Sequence, residues 1–194
     1  MLVDKVDGQI DIHLFHARTR ERAGIPIGRA GRRPHSGAVY PVGVSTDIYG
    51  FIETRHPHAG EDWHEGEAWT VCMPLYPLYD DQDYESFGCL FGVRNRRGWP
   101  PVAAGRGLPA DASEMVRADY ENSALIDAAV RGCTWVSWAE LRDLDMTVAV
   151  PEHGPLTRLD VLGPGTEWQY VFGVMRALAR RFGADGVRLV VWFD

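Results

Sequence analysis

The chain has 194 residues, 20 Lys+Arg against 27 Asp+Glu for a formal net charge of −7, with 45% hydrophobic and 24% charged residues. Those proportions exclude a disordered or collagen-like chain and suit one globular domain with an appended segment. The acidic balance argues against general nucleic-acid binding, which needs a basic surface to displace counterions.

Acidic residues interrupt the start, Met1-Leu2-Val3-Asp4-Lys5-Val6-Asp7, so no signal peptide is expected there. No run approaches the roughly 18 consecutive apolar residues of a membrane span. Cys72, Cys89 and Cys133 form no CxxC pair and no zinc spacing, and read as buried reduced thiols of a cytoplasmic protein. Lys5 is the single lysine among the basic residues. An arginine-, glycine-, alanine- and proline-rich composition of this kind reflects GC-rich codons, a mark of genomic origin. Residues 1–43 carry a net charge of +3, leaving −10 for residues 44–194, which are read as the folded domain.

In chain order, Asp11-Ile12-His13-Leu14-Phe15-His16-Ala17-Arg18 reads as a strand and resembles Asp47–Arg55, a second strand. His13 and His16 then point to opposite faces. Residues 24–41, rich in Gly, Pro and Arg, read as a loop or linker. In the second strand Asp47, Tyr49, Phe51 and Glu53 share a face. Asp47 and Glu53 lie about 20 Å apart along it, too far to work jointly on one bond, and Glu53 reads as exposed. Next comes an acidic loop, where His64 sits among Glu61, Asp62, Glu65 and Glu67. It is either solvated or the holder of a divalent ion.

Helical spacing of Tyr84, Phe87 and Phe91 predicts a helix over 80–95, capped by Asp80 or Asp81. Arg94-Asn95-Arg96-Arg97-Gly98-Trp99, with Arg106 soon after, suits either an anion site or cationic capping of a helix end. Asp111-Ala112-Ser113-Glu114 opens a helix to about Asn122. Ser137-Trp138-Ala139-Glu140 is a capping box at the start of another. Thr147–Val150 reads as a short strand. Thr166 is the expected cap, with Gln169 its reciprocal partner, of a helix whose apolar stripe is Trp168, Val171, Met175, Leu178 and Phe182; Gly183 ends it. Val187–Phe193, almost continuously apolar, predicts a central strand covered on both faces. The expected fold is α+β, a single domain with a mixed sheet, a central C-terminal strand and helices packed on it. No phosphate loop, nucleotide-fold fingerprint, GxSxG or HExxH occurs.

Thr46-Asp47-Ile48-Tyr49-Gly50-Phe51-Ile52-Glu53-Thr54-Arg55, Tyr84-Glu85-Ser86-Phe87 through Val93-Arg94-Asn95, Arg106-Gly107-Leu108-Pro109, Thr134-Trp135 through Leu141, and Val187–Asp194 resemble, in order and spacing, a family of uncharacterised proteins of actinobacteria and their phages. The resemblance implies a histidine and aspartate cluster, as a metal or hydrolytic site would use. Here Tyr49 and Phe51 stand where its first histidines would be, and Arg131-Gly132-Cys133 replaces a histidine-rich turn. Asp47 and Glu53 remain.

The residues therefore favour a non-catalytic cytoplasmic binding or accessory protein of actinobacterial or phage origin. Its expected partner is a protein or small molecule, with no membrane and no nucleic acid. The candidate surface is Asp47, Tyr49, Phe51 and Glu53, with Arg94, Arg106 and Trp135 as neighbours. One alternative is a metal-dependent hydrolase holding a divalent ion through His13, Asp47, Asp62 and His64. Another is a nucleotide or small-anion binder using Arg94, Arg106 and Trp99. No cofactor is otherwise expected.

Overall fold

Seven consecutive buried residues, Val187–Phe193, form the interior strand β6 of a four-stranded sheet. They belong to a computed structural model that describes residues 45–150 and 154–194. The chain divides into two units, Met1–Pro41 and Val42–Asp194, and the described residues all belong to the second. The strand expected over Asp11–Arg18 and the loop over 24–41 lie outside the described residues.

The other strands of this sheet are β1 (Ile48–Arg55), β2 (Trp69–Pro74) and β3 (Arg131–Ser137). Their order is β2-β1-β6-β3 and every pairing is antiparallel, so the sheet is not mixed. The helices are excursions between strands that pair in opposite senses. Alternating helices and strands in a sequence produce parallel pairs only when each helix is a crossover. β4 (Ala149–Val150) and β5 (Leu156–Thr157) form a separate two-stranded ribbon. β1 approaches β6 so closely at Gly50 that a Cβ there would lie 2.1 Å from the Val190 carbonyl oxygen.

Alternation along β6 separates two faces. Val187, Leu189, Val191 and Phe193 join Ile52 in the main core. Helices α1 (Tyr84–Phe91), α3 (Trp138–Arg142), α4 (Arg158–Leu162) and α5 (Trp168–Phe182) contribute to it. Its aromatic contacts are tilted or edge-on, avoiding the face-to-face sandwich that ring quadrupoles disfavour: Phe87 and Phe91 lie 5.3 and 5.7 Å from Phe193, and Trp168 lies 4.5 Å from Tyr79. The expected α5 stripe is the one used, with Trp168, Val171 and Met175 fully buried and Leu178 and Phe182 packed beside them. On the opposite face Val190 and Trp192 meet Ala112, Cys133 and Val116, the last from α2 (Glu114–Ile126).

Local chemistry sets the helix ends. Asp83, not Asp80 or Asp81, caps α1 by accepting from the Glu85 amide at 3.0 Å, and Gly92 in the left-handed region stops it short of Asn95. Ser137 and Glu140 form the expected reciprocal capping box of α3. At α5, Thr166 is not the cap: its hydroxyl donates to the Gly163 carbonyl at 2.9 Å and the helix begins at Trp168 without a side-chain cap. α2 continues past Asn122 to Ile126, because nothing in Glu121–Leu125 breaks a helix. Cys89 and Cys133 are buried, whereas Cys72 is exposed on the edge strand β2. No helix among the described residues is long and apolar enough to cross a membrane.

Candidate functional site

Glu53 projects from the same face as Tyr49 and Phe51, as alternation predicts, but it is 0% exposed. The β1–β6 register places it opposite Arg188. Arg188 Nε donates to Glu53 Oε2 at 2.7 Å, and the Ser113 amide donates to Oε1 at 2.9 Å. The expectation of an exposed Glu53 is thus corrected: a buried carboxylate needs such partners, and here both come from distant segments. Arg188, itself 3% exposed, also donates through Nη1 to Asp111 Oδ1 at 2.7 Å and through Nη2 to the Asp111 carbonyl at 3.1 Å. Its guanidinium carbon lies 3.8 Å from the Trp69 ring centroid, and the Trp69 indole N–H donates to Asp111 Oδ2 at 2.8 Å. Burial works against the charge on Asp111, but hydrogen bonds and charge from Arg188, with the Trp69 bond, outweigh it and lower its pKa.

A second pair lies alongside. Arg106 sits in a loop between Gly105 and Gly107, whose φ angles of 61° and 74° favour glycine. Its Nη2 and Nη1 donate to Glu140 Oε1 and Oε2 at 2.6 and 3.0 Å. The same two nitrogens donate to the carbonyls of Val102 and Trp135, at 3.0 and 3.2 Å. The Arg106 guanidinium carbon stands 5.1 Å from the Trp135 ring centroid; that of Arg188 stands 5.9 Å from it. Although burial opposes it, bonds from Arg106 and Ser137 hold the Glu140 carboxyl at about 2. Between these groups is an open cleft of about 670 Å³, lined by Trp69, Trp135, Arg106, Asp111, Glu140, Asp185 and Arg188 among others. Its two arginines are paired with Asp111 and Glu140, and two indoles stand in its walls.

Of the expected surface, the structure brings Arg106 and Trp135 to this cleft, and Glu53 lies buried behind Arg188. Phe51 packs instead on Trp192, ring centroids 5.9 Å apart. The Tyr49 hydroxyl donates to Asp194 Oδ2 at 3.0 Å, and burial, then the Asp194 charge, raise its pKa. Asp47 precedes β1 and accepts from the Gln82 side-chain amide. Arg94 lies just beyond α1, where its Nε donates to Thr46 Oγ1 at 2.9 Å. Trp99 is 2% exposed, its indole N–H donating to Glu85 Oε2 at 3.2 Å. The expected set of Arg94, Arg106 and Trp99 is therefore not assembled, because Trp99 is absorbed by the main core.

Among the described residues the expected metal ligands are likewise dispersed. His13 lies outside the described residues. Asp47 and the Asp62–His64 loop stand at opposite ends of the eight-residue strand β1, about 25 Å apart at ~3.3 Å per residue. The His64 ring stacks on His56 at 4.2 Å, and its Nε2 faces the Glu67 carbonyl at 3.3 Å. Among the described residues no group of three or more His, Cys, Asp or Glu side chains is placed to hold an ion.

Sequence reasoning passed over Arg188, Asp111 and Trp69. For Arg188 a signal was present: one charged residue inside an apolar strand is rarely buried unless paired. Which carboxylates pair with it has no local signature. Comparison of the chain with protein-family models, with curated proteins and with solved structures finds no match.

Proposed function

We propose that the domain acts by binding, as a cytoplasmic accessory protein of actinobacterial or phage origin, and that its site is the cleft between Trp69 and Trp135. The carrying observation is that the arginines in the cleft are engaged by its carboxylates while two indoles wall the open space. A general base works best with a pKa near the working pH. Glu140 is held at about 2 and Asp111 is lowered, so both suit fixed charges that orient a ligand. Composition and the resemblance to actinobacterial and phage proteins support the assignment of origin. Neither a metal nor another cofactor enters this reading.

The test is a thermal-shift panel of organic cations, organic anions, nucleotides and sugars on the wild type and Trp135→Ala. The expected result is a panel member that raises the melting temperature, by linkage, in the wild type alone. Turnover of a small ester, phosphodiester or glycoside by purified protein, lost in Asp111→Asn, overturns the reading.

A further inference from the structure

Resting on the cleft as the binding site, we infer that it recognises an alkylguanidinium, the side chain of a partner's arginine, and that Arg106 is a resident stand-in for that group.

The two cleft arginines differ in kind. Arg188 is built in: it is 3% exposed, tied to Glu53 and Asp111, and stacked 3.8 Å from the Trp69 ring centroid. Arg106 comes from a loop alongside β3 and its side chain is 27% exposed. A Cβ added to either flanking glycine would meet nothing within 4 Å. In this proposal Arg106 withdraws by side-chain rotation, while its own amide stays on Thr134 Oγ1 at 3.4 Å and the Gly107 amide on the Cys133 carbonyl at 3.0 Å.

What Arg106 would leave behind is complete without it. Glu140 Oε2 accepts from the Ser137 amide at 3.0 Å and from the Ser137 hydroxyl at 2.8 Å. The α3 capping box therefore orients this carboxylate whatever fills the cleft. Beside it are the Val102 and Trp135 carbonyls that now accept from Arg106, and the Trp135 ring. A carboxylate fork, two carbonyls and an indole face match a planar guanidinium. An ammonium is a compact charge without the fork geometry and fits less well. The electrostatics agree. Asp111, Glu140 and Asp185 line the cleft with Glu53 behind, against two arginines, and residues 44–194 carry −10. That field draws cations. About 670 Å³ stays open beside Arg106 for the stem that carries the incoming group.

The test measures binding of L-argininamide, L-lysinamide and a short neutral-flanked arginine peptide to the wild type and Arg106→Ala, by tryptophan fluorescence and melting temperature. Arg106→Gln is the second variant if Arg106→Ala does not fold. Vacating the fork is expected to tighten argininamide binding at least tenfold, with argininamide at least tenfold tighter than lysinamide. Glu140→Gln or Trp135→Ala in the same background is expected to abolish the response. A peptide that binds more tightly than argininamide supports a protein partner; equal affinity overturns that source. A folded Arg106 variant that ignores millimolar argininamide, or does not distinguish it from lysinamide, overturns the inference. A Trp135-dependent response to anions or sugars alone overturns the ligand class and leaves the cleft as the site. Panel responses that survive Trp135→Ala remove the site itself.

Discussion

The two faces of the sheet share β6 and differ by a single residue of register, yet they are stabilised in different ways. On one, Val187, Leu189, Val191 and Phe193 face rings and aliphatic chains from four helices. On the other, Val190 and Trp192 anchor a smaller apolar cluster, and Arg188 joins the buried Glu53 to an Asp111 that stays exposed. Hydrophobic burial is non-directional and scales with area, so the first face needs volume and shape. A buried charge is tolerated only with its whole set of partners, so the second face needs particular atoms in place. The candidate site lies on the second. Charges held by the fold itself make a preorganised rim, which an apolar face cannot offer.

The largest loss is expected on the apolar face. Trp168→Ala removes a fully buried indole and should cost about 4–5 kcal/mol in urea unfolding, from lost transfer energy and the cavity left. A loss below about 2 kcal/mol would mean that this face repacks freely. Next is Arg188→Met, expected to cost about 3 kcal/mol by stranding the Glu53 carboxylate without its cation. Adding Glu53→Gln, which keeps an acceptor for the Ser113 amide, should recover most of that loss. Equal stability of the single and double variants would deny the coupling between the two residues.

Smaller effects sharpen the contrast. Glu140 is held at about 2, below its ordinary value of 4.5. Its contribution is therefore present above pH ~4.5 and is lost as pH falls from there through about 2. Glu140→Gln should be the less stable protein at pH 7, and the gap to the wild type should close over that window. A gap that stays constant with pH would assign the loss to packing. The smallest perturbation is chemical. A thiol reagent should label Cys72 in the native protein and all three cysteines in denaturant. Burial pushes Cys89 up to about 11 and Cys133 up to about 12. Rapid native labelling of Cys133 would show that the smaller cluster opens.

Legibility followed the range of each interaction. β6 was read from its own apolar run, and the α3 capping box and α5 stripe from residues three or four positions apart. β2 and β3 were not, since Trp69-Thr70-Val71-Cys72-Met73-Pro74 and Arg131-Gly132-Cys133 lack a clean alternation and take their form from pairing with β1 and β6. Each carries a bulge that breaks the two-residue period. Within the site, Trp135 and Arg106 were legible as types suited to recognition, an indole and a forked cation. Asp47 and the His64 loop carry residue types suited to a metal, but the length of β1 keeps them apart.

Composition and local pattern determined the class of fold, the central strand, the principal amphipathic helix and the absence of known catalytic signatures, because each rests on neighbouring residues. Tertiary structure decided the antiparallel pairing, the partners of Glu53 and the location of the cleft. Glu53 and Arg188 are separated by 135 positions, and Arg106 and Glu140 by 34. Nothing along the chain ranks one distant carboxylate above another as the partner of an arginine. Strand register and the placing of α2 and α3 make that choice, since a charge leaving water must meet its counterpart within hydrogen-bonding reach.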